Sequence, residues 1–201
     1  RWHYGLFALT ALTILISAFL NTRFPQIGTR LAGAGMLALA IWLLRFDIAR
    51  RNLRHRLDIT RYIAICLYIG FIWLGISGLL NLFFGPQFAG LRYDATLHSV
   101  FIGFVFSMIF GHALIILPAL VQVNVSFSKI FYLPLIFLHG SLFLRITSDL
   151  AGWQVVRMWG GMLNEVAILL FMGVFVSAVF KQAKRPLPLK TQPVSEIGET
   201  E

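Results

Sequence analysis

The chain has 201 residues, of which 58% are hydrophobic and only 12% are charged, and its mean hydropathy is +0.80. A water-soluble domain of this size cannot bury so much apolar surface, so the composition excludes a soluble enzyme and predicts a protein embedded in a lipid bilayer. The formal net charge of +9 lies in loops and near the C-terminal end, which is typical of a membrane topology signal and argues against nucleic-acid binding.

Six apolar stretches approach or exceed the roughly 20 residues that a membrane-spanning helix needs. In chain order they cover residues 4–20, 31–44, 62–84, about 95–121, 130–144 and about 158–180. Short loops join them, which favours antiparallel neighbours in a bundle. We therefore predict an all-α, polytopic transmembrane helix bundle over residues 1–180. Because the chain begins with arginine, this bundle is also compatible with the C-terminal half of a longer chain.

Residues 181–201 are polar, contain proline, and are basic first and then acidic, which predicts a disordered tail. With six spans, 12 of the 17 Lys and Arg residues lie on the side of the two termini and 5 on the other. Because cytoplasmic loops carry the excess of positive charge, we expect a multi-pass protein of the cell inner (plasma) membrane with both termini and the tail in the cytoplasm.

Three of the five histidines, His98, His112 and His139, lie within predicted spans. His98 and His112 are 14 residues apart on one helix, a rotation of about 1400°, or some 40° short of four turns. An uninterrupted α-helix would place both side chains on one face, about 21 Å apart along its axis. One helix of a di-haem cytochrome b carries its ligands at such a spacing, although two histidines also share a face by chance.

His112 and His139 each lie nine residues from the cytoplasmic end of their spans, so we expect them at one depth, about 13 Å from that boundary. Imidazole so deep in a membrane needs a partner, and it ligates haem iron, copper or zinc. The pair therefore predicts a b-type haem held from both sides, or a metal site with copper as one candidate. The helices would have to splay for a haem, because helices in contact lie only about 8–10 Å apart. The alternative is a structural role, with hydrogen bonds to Ser107, Ser141 or the backbone.

Further polar residues fall at the end of the fifth span and inside the sixth. Arg145 and Asp149 are four residues apart and can pair on one helix face, or Arg145 can anchor the propionates of a haem. Asn164 and Glu165 lie in the sixth span, and Glu165 is the carboxylate deepest inside a span. A residue of that kind is a candidate for binding a proton, orienting a ligating histidine or bonding across helices.

The stretches LHSVFIGFVFSMIFGHALIILPAL, HGSLFLRITSDLAG and RMWGGMLNEVAILLF resemble the layout of the NnrS family, over about residues 94–180. NnrS proteins are polytopic bacterial membrane proteins linked to nitrogen-oxide stress and reported to contain haem and copper. The resemblance implies cofactor-binding roles for His98, His112 and Arg145, with His139 matched less closely. Family members are about twice this length, which implies either a missing upstream half or a shorter relative that serves as a subunit.

These features predict an integral membrane haem- or metal-binding protein that acts in electron transfer or nitrogen-oxide handling through intramembrane histidines. They leave open whether it is an enzyme. The alternative is a non-catalytic accessory subunit of a respiratory or photosynthetic complex, with histidines that are structural or bind a pigment. In either case the expected partners are the lipid bilayer and other membrane subunits. A third hypothesis, a small transporter with Glu165 as its proton site, lacks the internal repeat that many transporters show.

Overall fold

The computed structural model describes residues 2–122 and 127–183 of the chain. Over these residues the chain forms helices and connecting loops, with no β-strand. Six helical stretches in this part are long and apolar enough to cross a membrane. The structure therefore confirms the predicted all-α transmembrane bundle, and the protein is a multi-pass membrane protein.

The helices follow one another with short connections. In chain order they are α1 (Trp2–Asn21), α2 (Pro25–Phe46), α3 (Ile48–Asn52), α4 (Asp58–Phe84), α5 (Leu91–His98), α6 (Phe106–Val121), α7 (Tyr132–Ala151) and α8 (Gln154–Ala183). A π-helical segment, Ser99–Val105, joins α5 to α6 and makes them one continuous span, and a short 3₁₀ turn, Lys129–Phe131, leads into α7.

Several helices extend beyond the apolar runs that predicted them. α2 starts at Pro25 rather than at residue 31, because proline is tolerated in the first turn, where its missing N–H would have had no helical partner. α7 continues to Ala151 rather than ending at residue 144, because Ser148 and Asp149 are buried against the bundle. α8 continues to Ala183, so the first three residues of the predicted tail are helical. The rest of that predicted tail lies outside the described residues.

The third span, α4, is the centre of the bundle. Within its most apolar window 56% of the residues are buried inside the protein, against 6% for α1 at the periphery. α4 packs against α2, α3, α5, the π segment and α6, while α1 pairs with α2 and α7 pairs with α8. Gly33 and Gly78 bring α2 and α4 close together, since a Cβ at Gly78 would lie 2.8 Å from the Gly33 carbonyl oxygen. Small residues such as these two allow helix backbones to approach closely within a membrane.

Candidate functional site

The span that carries His98 and His112 changes its helical geometry between them. Seven residues, Ser99–Val105, are π-helical, and such segments are frequently found at functional sites. Within the segment Gly103 packs against Trp73 of α4, where a Cβ on the glycine would lie 2.5 Å from both the Cβ and Cγ atoms of Trp73. Only glycine leaves room for this approach, which brings the indole ring into the interior between α4 and α7.

His139 is held by hydrogen bonds on both of its ring nitrogens. Trp73 Nε1 lies 3.0 Å from His139 Nδ1, and His139 Nε2 lies 3.1 Å from the hydroxyl oxygen of Ser107. Because an indole N–H only donates, Nδ1 is the acceptor and Nε2 carries the proton that it donates to Ser107. Ser107 in turn donates to the carbonyl oxygen of Gly103 at 2.7 Å. This chain, which we call the His139 network (Trp73, Gly103, Ser107 and His139), joins α4, the π segment, α6 and α7.

His112 has a different environment, on the exposed surface of α6. Its Nδ1 lies 2.8 Å from the carbonyl oxygen of Met108, one turn earlier, and an imidazole nitrogen next to a carbonyl oxygen donates its proton. Nε2 therefore carries the free lone pair. The groove around the ring is formed by residues of the same span, most of them apolar: Val105, Met108, Ile109, Ala113, Ile116 and Leu117. The surface of this groove is almost entirely apolar, so the imidazole is its main polar feature.

The structure does not bring His112 and His139 into one site. His139 contacts α6 at Ser107, and His112 lies five residues further along that helix, about 140° around its axis and about 7.5 Å along it. The depth argument from the sequence concerned the distance of each residue from the membrane boundary. The sequence determines neither how the two helices are aligned along their axes nor where their side chains point, and the two histidines differ in both respects.

His98 lies at the end of α5, half-buried, with its Nδ1 2.6 Å from the carbonyl oxygen of Asp94. His98 and His112 do not have the common environment that uninterrupted α-helical geometry predicted. His98 lies beside charged groups of α7 and α8, whereas His112 is exposed among apolar residues of its own span. The π segment between them has a different number of residues per turn, so the predicted rotation of about 1400° does not apply.

Five ionisable side chains meet where α5, α7 and α8 converge, and we call them the ion cluster: Asp94, His98, Arg145, Asp149 and Arg157. Arg157 donates a hydrogen bond to Asp94, and its Nε lies 2.8 Å from Asp149 Oδ1, an ion pair without hydrogen-bond alignment. The side chain of Asp149 is 0% exposed. Two carboxylates and two guanidinium groups offset one another here, which makes a buried charge tolerable.

Arg145 lies across the surface of α8 and forms no ion pair with Asp149 among the described contacts. The helix of Arg145 approaches Gly160 so closely that a Cβ there would lie 2.9 Å from the Arg145 Cβ, and a Cβ on Gly161 would collide with the guanidinium group. The two adjacent glycines thus form a notch for this side chain. The Nε of Arg145 is buried without a hydrogen-bond partner in the described structure, so the side chain is held by shape as well as by charge.

Asn164 and Glu165 lie next to each other on α8 and face different ways. Asn164 is buried and accepts a hydrogen bond of 2.6 Å from the hydroxyl of Ser141 on α7. Glu165 is exposed, on the face of the helix that does not pack against the rest of the chain. Consecutive residues differ by about 100° around a helix, which accounts for the separation. Asn164 therefore links α7 to α8, and Glu165 faces the surroundings of the protein.

A residue can ligate haem iron or a metal ion only through an atom whose lone pair is not used in a hydrogen bond. In the part of the chain that the structure describes, no group of three or more His, Cys, Asp or Glu side chains is arranged to hold a metal ion. His139 fits poorly as a ligand, because both of its nitrogens are bonded. His112 fits as a single ligand through Nε2, since a ligating histidine normally donates its other N–H to a carbonyl or carboxylate. His98 has the same Nδ1 arrangement but lies among charges.

Sequence reasoning missed Trp73, Asp94 and Arg157, which hold the network and the ion cluster together. Trp73 looked like one more aromatic residue in an apolar run. Asp94 and Arg157 immediately precede the fourth and sixth apolar runs, so opposite charges at the starts of these two spans were a usable signal. Their pairing depends on how the helices are arranged, which the sequence alone did not reveal.

Comparison with known protein families shows that the chain matches the family described as Domain of unknown function (DUF8744) over residues 1–180. The matched region contains all six spans. Neither the curated proteins nor the solved structures include a significant match to the chain.

Proposed function

This chain belongs to the DUF8744 family, whose description assigns no activity, and from its residues we propose that it binds a b-type haem or a copper ion through His112. The metal would lie where α6 meets another membrane subunit. We further propose that the protein serves electron transfer or nitrogen-oxide handling. The layout resemblance to NnrS proteins is consistent with both parts.

The observation that carries this proposal is the orientation of His112. Its Nδ1 is fixed by the Met108 carbonyl at 2.8 Å, so Nε2 presents its lone pair on an apolar, exposed surface. A lone imidazole in such a position is costly in lipid unless something binds it. A haem or copper ion bound there would supply the redox-active metal. The chain itself would supply one oriented ligand and an apolar surface that excludes water.

The remaining predicted site residues take other roles in this proposal. His139 is a positioning residue, because its network fixes α6 against α4 and α7. A haem or copper ion held by His112 would need further ligands, which in this proposal a neighbouring subunit would supply. His98 and Arg145 belong to the ion cluster, where Arg145 lies roughly 16 Å from His112 along the bundle, beyond the reach of a propionate of a haem held by His112. The proposed location is the inner membrane with both termini in the cytoplasm, supported by the asymmetric distribution of Lys and Arg.

Optical spectra and metal analysis of the purified full chain test the proposal. We expect a Soret band, or copper in stoichiometric amount, in the wild-type protein. His112→Ala should lose the band or the copper, whereas His139→Gln should keep it as long as the protein remains folded. A wild-type protein with neither a Soret band nor bound metal, after expression with haem and copper supplied, would contradict the proposal.

Glu165 favours a second candidate, an accessory subunit of a larger membrane complex. It is exposed on α8 among apolar residues, and a carboxylate in this position is stabilised most simply by a donor from another protein. Under this hypothesis the chain co-purifies with a stable complex and carries no cofactor of its own. Glu165→Gln should then weaken that association, while a matched Glu165→Asp variant keeps it. An unchanged complex in Glu165→Gln would remove this support.

A further inference from the structure

A cavity of about 530 Å³ lies between α1, α2, the C-terminal end of α4 and the segment formed by α5 and the π turn. Its size falls within the roughly 300–1,000 Å³ of small-molecule sites. The lining is mainly apolar, with several amide and hydroxyl groups, and contains none of the five charged or imidazole residue types. The cavity therefore suits an uncharged molecule. It does not include His112 or any member of the ion cluster.

The polar groups of the cavity are unevenly satisfied. Asn21 accepts a hydrogen bond from Thr29 at 3.0 Å, and the amide nitrogen of Gln87 donates to the carbonyl oxygens of Phe84 and Pro86. Asn81 has no comparable partner, since its amide nitrogen reaches only the sulfur of Met36 at 3.9 Å. Thioether sulfur is a weak acceptor, and an amide inside a membrane gains more from an oxygen acceptor than it would in water.

One wall of the cavity belongs to the π segment. Val100 and Phe101 of that segment line it together with Thr96 and Leu97 from the end of α5. On the other side, the turn after α4 places Gly85 at a φ of +66° and follows it with Pro86. A left-handed residue there strongly favours glycine. The π segment and the turn at Gly85 and Pro86 therefore both line the cavity. At each of them the backbone departs from regular α-helix.

We propose that this cavity binds the head group of a lipid-soluble quinone. The amide nitrogen of Asn81 reaches only a sulfur, so a ligand that presents a carbonyl oxygen to it would be a better partner, and a quinone ring carries such carbonyl acceptors. The ring is flat and uncharged, and its apolar tail suits the apolar walls and the bilayer beyond them. A phospholipid head group is a poor match, because nothing in the lining carries a positive charge to meet its phosphate.

Photolabelling of the purified full chain in lipid nanodiscs tests the proposal. The probe is an azido-ubiquinone analogue, and the competitors are decylubiquinone, dioleoylglycerol and dioleoylphosphatidylglycerol. We expect labelled peptides from α2, the end of α4 or α5, and displacement of the label by decylubiquinone alone. Displacement by dioleoylglycerol or dioleoylphosphatidylglycerol as effective as that by decylubiquinone would overturn the proposal in favour of a lipid.

Two variants and one control locate the binding. Asn81→Leu removes the donor and should weaken decylubiquinone competition about tenfold, the effect of one hydrogen bond. Ala32→Phe fills part of the cavity and should abolish specific labelling even if Asn81→Leu fails to fold. Ala34→Phe adds the same side chain to an exposed position on the same helix and should label like the wild type. Equal labelling in Ala32→Phe and Ala34→Phe would show that the probe only partitions into the bilayer, which contradicts a site.

Discussion

His139 and His112 are both intramembrane histidines, expected at one depth, yet the protein satisfies them in opposite ways. His139 exchanges hydrogen bonds with Trp73 and Ser107 and leaves no ring nitrogen free. His112 donates from Nδ1 to the carbonyl oxygen of Met108 on the same helix and leaves Nε2 without a partner. In a membrane, an imidazole that is satisfied within the chain contributes to stability. One that is left open depends on something outside the chain.

Other polar residues of the bundle also divide into those that are bonded within the chain and those that face outward. Asn164 is bonded to Ser141 inside, while its neighbour Glu165 faces outward. Asp149 is enclosed, while Asp58 forms an exposed ion pair with Arg61 near the start of α4. The account therefore predicts that inward-facing polar groups control the stability of the isolated chain. Outward-facing groups should affect binding or assembly and leave that stability nearly unchanged.

The largest expected effect comes from the ion cluster. Asp149→Ala leaves Arg157 without one of its two carboxylate partners and should lower the free energy of unfolding by about 2–4 kcal/mol. The expected loss lies at or below the range usual for breaking a fully buried ion pair, because 24% of the Arg157 side chain is exposed. Unfolding in detergent followed by circular dichroism measures this loss.

Asp58→Ala is the matched control, because the Asp58 and Arg61 side chains are 44% and 39% exposed. Removal of an exposed pair should change the free energy of unfolding by no more than about 0.5 kcal/mol. Equal losses in the free energy of unfolding for Asp149→Ala and Asp58→Ala would contradict the idea that burial of the Asp149 carboxylate determines its contribution to stability.

A smaller effect is expected from steric disruption of the His139 network. Gly103→Ala places a methyl group 2.5 Å from two atoms of Trp73, and the indole ring must move away from His139. This crowding should cost roughly 1–3 kcal/mol of the free energy of unfolding. Intrinsic Trp fluorescence should shift in the same variant, which reports the displaced ring directly.

Gly140→Ala provides the comparison for that variant. Gly140 is the residue after His139, is helical, and has no atom within 4 Å of an added Cβ. Alanine there should stabilise the protein by roughly 0.5–1 kcal/mol, since glycine weakens a helix interior. A stabilising Gly103→Ala would be evidence that α4 and the π segment are not in close contact.

Among the variants that disturb buried polar groups, the smallest effect on stability is expected from the loss of one hydrogen bond. Trp73→Phe keeps an aromatic ring but leaves Nδ1 of His139 without its donor, at a cost of about 1 kcal/mol. Trp159→Phe is the control, since that tryptophan is 58% exposed. Identical unfolding curves for the two variants would mean that the bond from Trp73 contributes nothing to stability.

The sequence was sufficient for the bundle because a spanning helix is recognised by its length and apolar composition. Helix ends were harder to predict, since α7 continues through Ser148 and Asp149, polar residues that the bundle encloses. The histidines, Arg145 and Asp149 were identified from the sequence, but Trp73, Asp94 and Arg157 were not, and neither was the arrangement of the site. Two features hidden from a hydropathy pattern determine it: the π segment between His98 and His112, and the notch at Gly160 and Gly161 that receives Arg145.

The reactivity of the individual histidines toward diethyl pyrocarbonate, read by mass spectrometry of the purified protein, tests the central distinction most directly. This small apolar reagent acylates an imidazole nitrogen that has a free lone pair. Free N-acetylhistidine in the same detergent solution provides the rate for an unhindered ring. We expect His112 in the cofactor-free protein to react at a rate approaching that of N-acetylhistidine, while His139 stays protected until the protein unfolds. Modification of His139 as fast as His112 in the folded protein would contradict it.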